Sequence, residues 1–447
     1  MGKWMQSVTA KVLGIGMLAL LMTIPLMQVS GLVAERQALR TEAINQIAQG
    51  WGADQVLGGP VLVVPTRRLF APDGAAPQEH EGHETMLADT LHLDVALATS
   101  TRHYGIYATP VFVATVKLQA VFRAGDLAQF RATGDGAWQA GKAELRLPLA
   151  DLRGLQAVDA LTVNGQPVRF ESSAERFGAW PVVVIPMDLD ALGNQPITVA
   201  ATLKLAGTGA LQLLPLARDT DVSMRAPWRD PSFVGAALPL ERSIGASGFS
   251  AHWHLLDLNR SYGQHWNERD DVAKALSASA FGVQLYQPVD VYQRNVRAGK
   301  YGLLFIAMTF VVFFLFEVLQ RLRVHPVQYL LVGMALATFY VVLLALSEQV
   351  GFGVAYAIAA ASVAAIVGGY AAAILRARRA GWLLGGVMAL TYAMLYGLIA
   401  AEQYALLIGA LVLLITVALL MYLTRRIDWY AYTPALGESP AAIMERP

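Results

Sequence analysis

No cysteine occurs anywhere in the 447 residues. Thiol catalysis, cysteine-held metal sites and disulfide cross-links are thereby excluded. Charge is scarce as well, at 15%, and balanced, with 34 Lys and Arg against 33 Asp and Glu. A chain with no net field of either sign does not read as a nucleic-acid binder. The short patterns that announce a reaction are also missing: there is no glycine-rich phosphate loop, no nucleophile elbow and no HExxH. Basic residues are absent from two tight turns, around Glu348 and Gln349 and around Glu402 and Gln403.

What is abundant is apolar surface, with 55% of residues hydrophobic. That points to an integral membrane protein. Six segments, 12–33, 301–319, 327–346, 351–375, 382–401 and 405–423, approach the ~20 residues needed to cross a bilayer as helices. Lys3 and Lys11, Arg321 and Arg323, Arg376, Arg378 and Arg379, and Arg425 and Arg426 fall at alternate ends of these segments, where a six-span chain puts the cytoplasm. Both termini are expected inside. The first segment reads as an uncleaved anchor, because its apolar run exceeds the roughly 7–15 residues of a signal-peptide core and Ser30-Gly31 is a poor cleavage site.

Between segments one and two the pattern changes. Residues 34–54 keep helical spacing as a connector, and 55–287 alternate with period two between Gly, Pro, Asn and Asp punctuation. This predicts an all-β domain, a sandwich or distorted barrel, on the outer side of the membrane. Residues 35–300 carry 24 Lys and Arg against 27 Asp and Glu, so the surface is mildly acidic. In ALTVNGQPVRF, Asn164-Gly165 predicts a two-residue type I′ turn. Residues 67–84, rich in Pro, Gly and acids, read as an exposed loop. Residues 288–300 connect to a five-helix membrane domain over 301–423, and 424–447 form a cytoplasmic tail.

Several side chains are candidates for a role. Arg225, Trp228, Arg229, Arg242, Trp253 and Arg260 mix aromatic mass with guanidinium groups, as a partner or ligand groove would; the plainer reading is an aromatic core with a polar rim. Glu317 lies inside a membrane segment, where an acid suggests a proton or ion path. Arg321, four residues on, offers a structural ion pair instead. Gly353, Ala357, Ala361, Ala365 and Gly369 recur every fourth residue, as do Gly385, Ala389, Ala393 and Gly397, which predicts a close antiparallel pair of helices. His252 and His254 share one face of a strand and could chelate a metal, but no third ligand is visible. His80 and His83 lie among Glu79, Glu81 and Glu84 without a metalloprotease spacing. No cofactor, metal or catalytic residue is assigned.

Five stretches carry a family resemblance: GPVLVVP at 59–65, the run PWRDPSFVGAALPLERSIGASGFSAHWHLLDLNRSYGQ at 227–264, FGVQLYQPVDVYQRNVRAGKYGLLFIAMTF at 281–310, FEVLQRLRVHPVQYLLVG at 316–333 and MYLTRRIDWY at 421–430. Over nearly the whole chain the sequence resembles the CreD family of bacterial inner-membrane proteins. The resemblance implies an inner-membrane location, control by a carbon-source-responsive two-component system and a link to envelope stress and β-lactam response. It brings no catalytic residues. The expectation is therefore a non-enzymatic envelope-integrity protein whose β domain binds an envelope protein, cell-wall or lipid component. Transport or lipid handling by the six helices is the alternative, and a metal-dependent external hydrolase at His252 and His254 a third reading.

Overall fold

The structure, a computed structural model, describes residues 8–70, 78–133, 137–193, 195–285, 291–319, 324–374, 378–401 and 404–425. The chain divides into two compact units, one of Met1–Leu39 with Val289–Pro447 and one of Arg40–Pro288.

The first unit is helical. It contains α1 (Val8–Leu21), most of the apolar part of α2 (Thr23–Trp51), α3 (Val291–Leu319), α4 (Pro326–Val350), α5 (Phe352–Ile374), α6 (Arg378–Ala400) and α7 (Ala405–Thr424). α1 and α2 read as one apolar stretch interrupted at Met22. Pro25 has no N–H to bond the Leu21 carbonyl, which accounts for the interruption. Among the described residues five helices are long and apolar enough to cross a membrane: Ala10–Trp51, Val291–Val318, Pro326–Val350, Phe352–Ile374 and Gly381–Ala400. The apolar stretch of α7, Leu407–Tyr422, is shorter. Leu13 and Met17 are each 70% exposed, as expected of side chains that face lipid instead of water.

α4 is the centre of this unit. Pro326 occupies its first turn, His325 Nδ1 accepts from the Val327 amide, and Gln328 returns a bond to the His325 amide, so both exposed donors of the helix start are satisfied. Its inward residues Val332, Leu336, Phe339 and Leu343 are buried. Phe339 packs on Tyr356 of α5 and Tyr392 of α6, with ring centroids 5.3 and 4.6 Å away. Tyr356 donates to the Tyr392 carbonyl at 2.6 Å, which satisfies a hydroxyl that has no water to turn to.

α5 and α6 approach through glycines. A Cβ at Gly381 would stand 2.3 Å from Ala372 Cβ, and one at Gly368 would be 3.2 Å from Gly385 Cα. Of the small-residue strips expected to make this contact, Gly385 is at it, whereas Gly353, Ala357, Ala361, Ala365 and Gly369 on α5 and Ala389, Ala393 and Gly397 on α6 are exposed. An i+4 series drifts around a helix by roughly 40° per step. The partner-facing line is the neighbouring one through Gly368, and composition alone does not distinguish the two.

The second unit is built on strands β1 (Gln55–Leu57), β2 (Val61–Phe70), β3 (Gln78–Tyr104), β4 (Tyr107–Phe122), β5 (Ala137–Trp138) and β6 (Ala143–Pro148). β7 (Leu155–Val163), β8 (Gln166–Pro167), β9 (Glu171–Phe177), β10 (Trp180–Met187), β11 (Ile197–Thr208) and β12 (Ala210–Leu213) follow. The last are β13 (Ala217–Ala226), β14 (Pro231–Gly235), β15 (Glu241–Gly245), β16 (Gly248–Leu256), β17 (His265–Asn267) and β18 (Phe281–Leu285). Among the described residues, β1, β12, β18 and β14 make a small sheet in that order, and the other fourteen strands are hydrogen-bonded into one large sheet.

The 27-residue β3 holds the large sheet together. Its first part pairs with β2 and β17; its second lies between antiparallel β4 and parallel β13. Residues 67–70 and 78–84, expected in a loop, are therefore a paired ribbon, with 71–77 outside the described residues. Charge on both strands hides the alternation there, and the charges are used: Arg67 faces Glu79 and Glu81.

Burial alternates along β4 as the period-two pattern requires, and Phe112, Phe122, Trp253 and Phe281 fill the main core. β2 and β10 are apolar on both faces. Leu62, Val64, Val183 and Ile185 enter the main core, while Val61, Val63, Val182 and Val184 enter a second one with Trp180, Tyr262 and Trp266. That gives three layers in place of a simple two-sheet sandwich. The Asn164-Gly165 turn joins β7 to β8 with φ of 50° and 76°.

Candidate functional site

The exposed face of β3, β13, β16 and β15 brings histidine, carboxylate, serine and arginine side chains together. Strand register places its side chains, since directly opposed residues share a face. Asp94, Ser223, His252 and Glu241 form one row across the four strands, and Ala96, Arg225, Ser250 and Ser243 the next. Two open clefts lie along it. One, of about 420 Å³, is bounded by Arg225, Ser243, Ser247, Ser250 and the glycines of the β15–β16 turn; the other, of about 330 Å³, by Asp94, Arg225, Glu241, Arg242 and His252.

Of the six candidate groove residues, Arg225 and Arg242 line these clefts and the other four do not. Trp253 is 1% exposed in the main core, edge-on to Phe233, its indole N–H donating to the Ala237 carbonyl at 3.3 Å. Trp228 donates to the Asp230 carbonyl and packs against the same core. Arg229 holds the Ala246 carbonyl at 2.8 Å, fixing the β15–β16 turn. Arg260 clamps its own loop through the Tyr262 and Gly263 carbonyls and Gln264 and stacks on the Tyr262 ring. Burial lowers its pKa, and burial likewise raises that of Tyr262, as expected of groups taken out of water. The bland reading of an aromatic core holds for the tryptophans.

His252 and His254 share one face of β16, and non-local pairing adds what the spacing could not. Asp221 of β13 reaches both: Oδ2 is 2.8 Å from His252 Nε2 and 3.8 Å from His254 Nδ1, while Oδ1 is 3.6 Å from His92 Nε2 of β3. Asp219 Oδ1 is 3.5 Å from His254 Nε2. His92 was outside any sequence argument, being 160 positions from His252 with nothing local to mark it. His83, by contrast, sits on a ribbon whose Glu79 and Glu81 face Arg67 and whose buried Glu84 accepts from Trp138. His83's own amide donates to Glu268. The His80 side chain lies outside the described residues.

A separate node seats the start of the β unit. Asp151 accepts from the Ala53 amide and from the amide and guanidinium of Arg153. Partial burial opposes ionisation of Asp151, but the bonds from Arg153 and Ala53 outweigh it and hold the carboxyl below the usual aspartate range. Buried Gln55 completes the node, donating to the Asp151 and Ala206 carbonyls.

In the helical unit Glu317 is 4% exposed and accepts from three donors. Lys11 of α1 and the Val324 amide donate to Oε1, and the Tyr329 hydroxyl of α4 to Oε2 at 2.9 Å. Arg321 lies outside the described residues. At the other end of the same helices Glu348 of α4 accepts from Tyr292 of α3 at 3.0 Å and faces Arg36 of α2 at 3.9 Å, with Asn295 bonded to Ser347 alongside. Tyr329 and Glu348 are about 28 Å apart along α4 at the helical rise, close to the hydrocarbon thickness. Each carboxylate thus ties three segments at one end of the bundle.

Apolar helices of membrane-crossing length, with a large β unit inserted after the first of them, define a multi-helix membrane protein with a β-rich module. The chain belongs to the CreD family. The family model described as Inner membrane protein CreD matches residues 7–430. The chain is also similar to Inner membrane protein CreD of Escherichia coli strain K12, 33% identical over 417 residues that cover 93% of this chain and 92% of that protein.

Proposed function

We propose that this inner-membrane protein supports cell-envelope integrity without chemistry of its own, through a periplasmic β unit that binds an anionic, phosphate- or carboxylate-bearing envelope component. The observation that carries this reading is the state of Arg225 and Arg242. Both are exposed and border the clefts, Arg225 in the row of Ser250 and Ser243 and Arg242 on the alternate face of edge strand β15 opposite Ala251, and among the described residues neither has an ion pair or hydrogen bond to occupy it. Other exposed arginines, such as Arg67, Arg153 and Arg218, spend their charge on nearby carboxylates. A free guanidinium beside Ser223, Ser243 and Ser250 offers charge-assisted and hydroxyl donors to an oxyanion.

The topology proposed with it has six spans, α7 included, with both termini cytoplasmic. Lys11 beside the end of α3 and the basic residues Arg376, Arg378, Arg379 and Arg425 support that orientation. The three donors held by Glu317 support a structural role for that acid over a transport path.

The test is a photo-crosslinking residue placed at Ser243 or Ser250 in cells. An adduct that disappears in the Arg225→Ala, Arg242→Ala double variant supports the reading. Absence of any adduct, or one indifferent to the double variant, refutes it. Because the chain has no cysteine, single-cysteine labelling at Ser172 and Arg378 with an impermeant maleimide reads the orientation without background, and labelling of both from the same side would overturn the topology.

A further inference from the structure

The histidines beside the clefts stand on their own geometry. His92, Asp221 and His254 are successive partners across β3, β13 and β16, and His252 shares their face one alternate residue along. With strands ~4.8 Å apart, His92 and His254 stand ~10 Å apart on either side of Asp221, a span that two imidazoles can close from opposite sides. We propose that His92, His252, His254 and Asp221 form a binding site for one divalent transition-metal ion of the zinc class.

The donor set sets the ion's class. Three imidazoles and one carboxylate suit zinc, copper or nickel, whereas magnesium and calcium prefer all-oxygen shells. Asp221 is the hub, because both its oxygens already face ring nitrogens, at 2.8 to 3.8 Å. Asp219 is placed to orient His254 through its other ring nitrogen, as second carboxylates do around metal-held imidazoles.

As the side chains stand, no three His, Asp or Glu groups among the described residues could hold a metal ion. Binding therefore requires the imidazoles to turn. The backbone positions are held by the sheet, while the imidazoles, with side chains 70%, 36% and 42% exposed for His92, His252 and His254, are free to turn. Asp94 and Glu241 in the adjoining row favour a cation on this face, with Lys117 opposite Asp94 and Arg225 one row further as the nearby positive charges. This site is independent of the anion reading and survives if Arg225 and Arg242 prove silent.

The experiment uses the full chain in detergent, stripped with chelator and titrated with zinc against a chromophoric competitor. The expected result is one ion per chain, with affinity reduced at least tenfold in His252→Ala, in His92→Ala and in Asp221→Asn. Cobalt in place of zinc should give the intense visible absorption of a four-coordinate site, lost in the same variants. Each substituted side chain is at the surface of a formed sheet, and three separate variants guard against one that misfolds. No stoichiometric binding, or binding that all three variants retain, overturns the proposal.

Discussion

Lys11→Met should destabilise the helical unit far more than a lysine at the edge of a membrane segment ordinarily would. The substitution leaves the Glu317 carboxylate, 5% exposed, without its only positive partner among the described residues. Removing one member of a buried ion pair costs ~3–5 kcal/mol because the other charge is stranded. Two features reduce that figure. Lys11 is 27% exposed, and Tyr329 and the Val324 amide still donate. The expected loss is therefore ~2–3 kcal/mol, allowing ~1 kcal/mol for the donors that remain.

Glu317→Gln with Lys11 intact removes the charge but keeps an acceptor for Tyr329, so it should cost ~1–2 kcal/mol. The double variant strands no charge and should be less damaged than the two singles combined, by a coupling of ~1–2 kcal/mol. The assay is reversible unfolding of the purified chain in mixed micelles by added denaturing detergent, followed by far-ultraviolet dichroism. A Lys11→Met loss below ~0.5 kcal/mol, the scale of an ordinary surface substitution, would refute the account, as would strict additivity in the cycle.

Gly381→Val should separate α5 from α6 and lower stability by ~1–3 kcal/mol through overpacking against Ala372, whereas Ala365→Leu on the exposed strip should be nearly silent in the same micelle unfolding. The Asp151 carboxyl, held below its ordinary 3.8, contributes stability that is present above that value and lost as pH falls through the folded value. Asp151→Asn should flatten the acid limb of a tryptophan-fluorescence unfolding profile below about pH 4, where the ordinary carboxylate range begins. An unchanged acid limb would show that the node is not what titrates. Arg225→Ala and Arg242→Ala should each leave thermal stability within ~0.5 kcal/mol of the parent, since neither side chain holds a partner; a larger loss in differential scanning fluorimetry would mean that they are structural.

What was legible in the sequence was local. The Asn164-Gly165 hairpin follows from two residues that tolerate positive φ, and the apolar helices from their length. Where a partner lay far along the chain, local spacing pointed elsewhere. The helical wheel offers Glu317 its neighbour Arg321, which lies outside the described residues, but not Lys11, a described partner that no periodicity connects to it. His92 joins His252 only through the parallel pairing of β3 with β13, and that register depends on the whole sheet. The six groove candidates separate for a related reason. Trp253 of β16 is in the main core, whereas Arg225 of β13 opposes Ser250 and stays on the outer face, and which side each residue takes follows from strand pairing. On the 67–70 and 78–84 ribbon, exposed charges on both strands erased the alternation that identifies a buried strand.

The bond between Lys11 and Glu317 spans 306 positions of chain, and this fixes an order of events during synthesis. At roughly 5–20 residues per second, the ribosome needs about 15–60 s after making α1 before the acid exists. Throughout that interval Glu317 is not there for the lysine to meet, and every residue of the β unit is made in the meantime. Until α3 arrives, α1 is without that contact. A chain stalled before residue 317 would thus present a loosely held first helix, open to capture by membrane quality control.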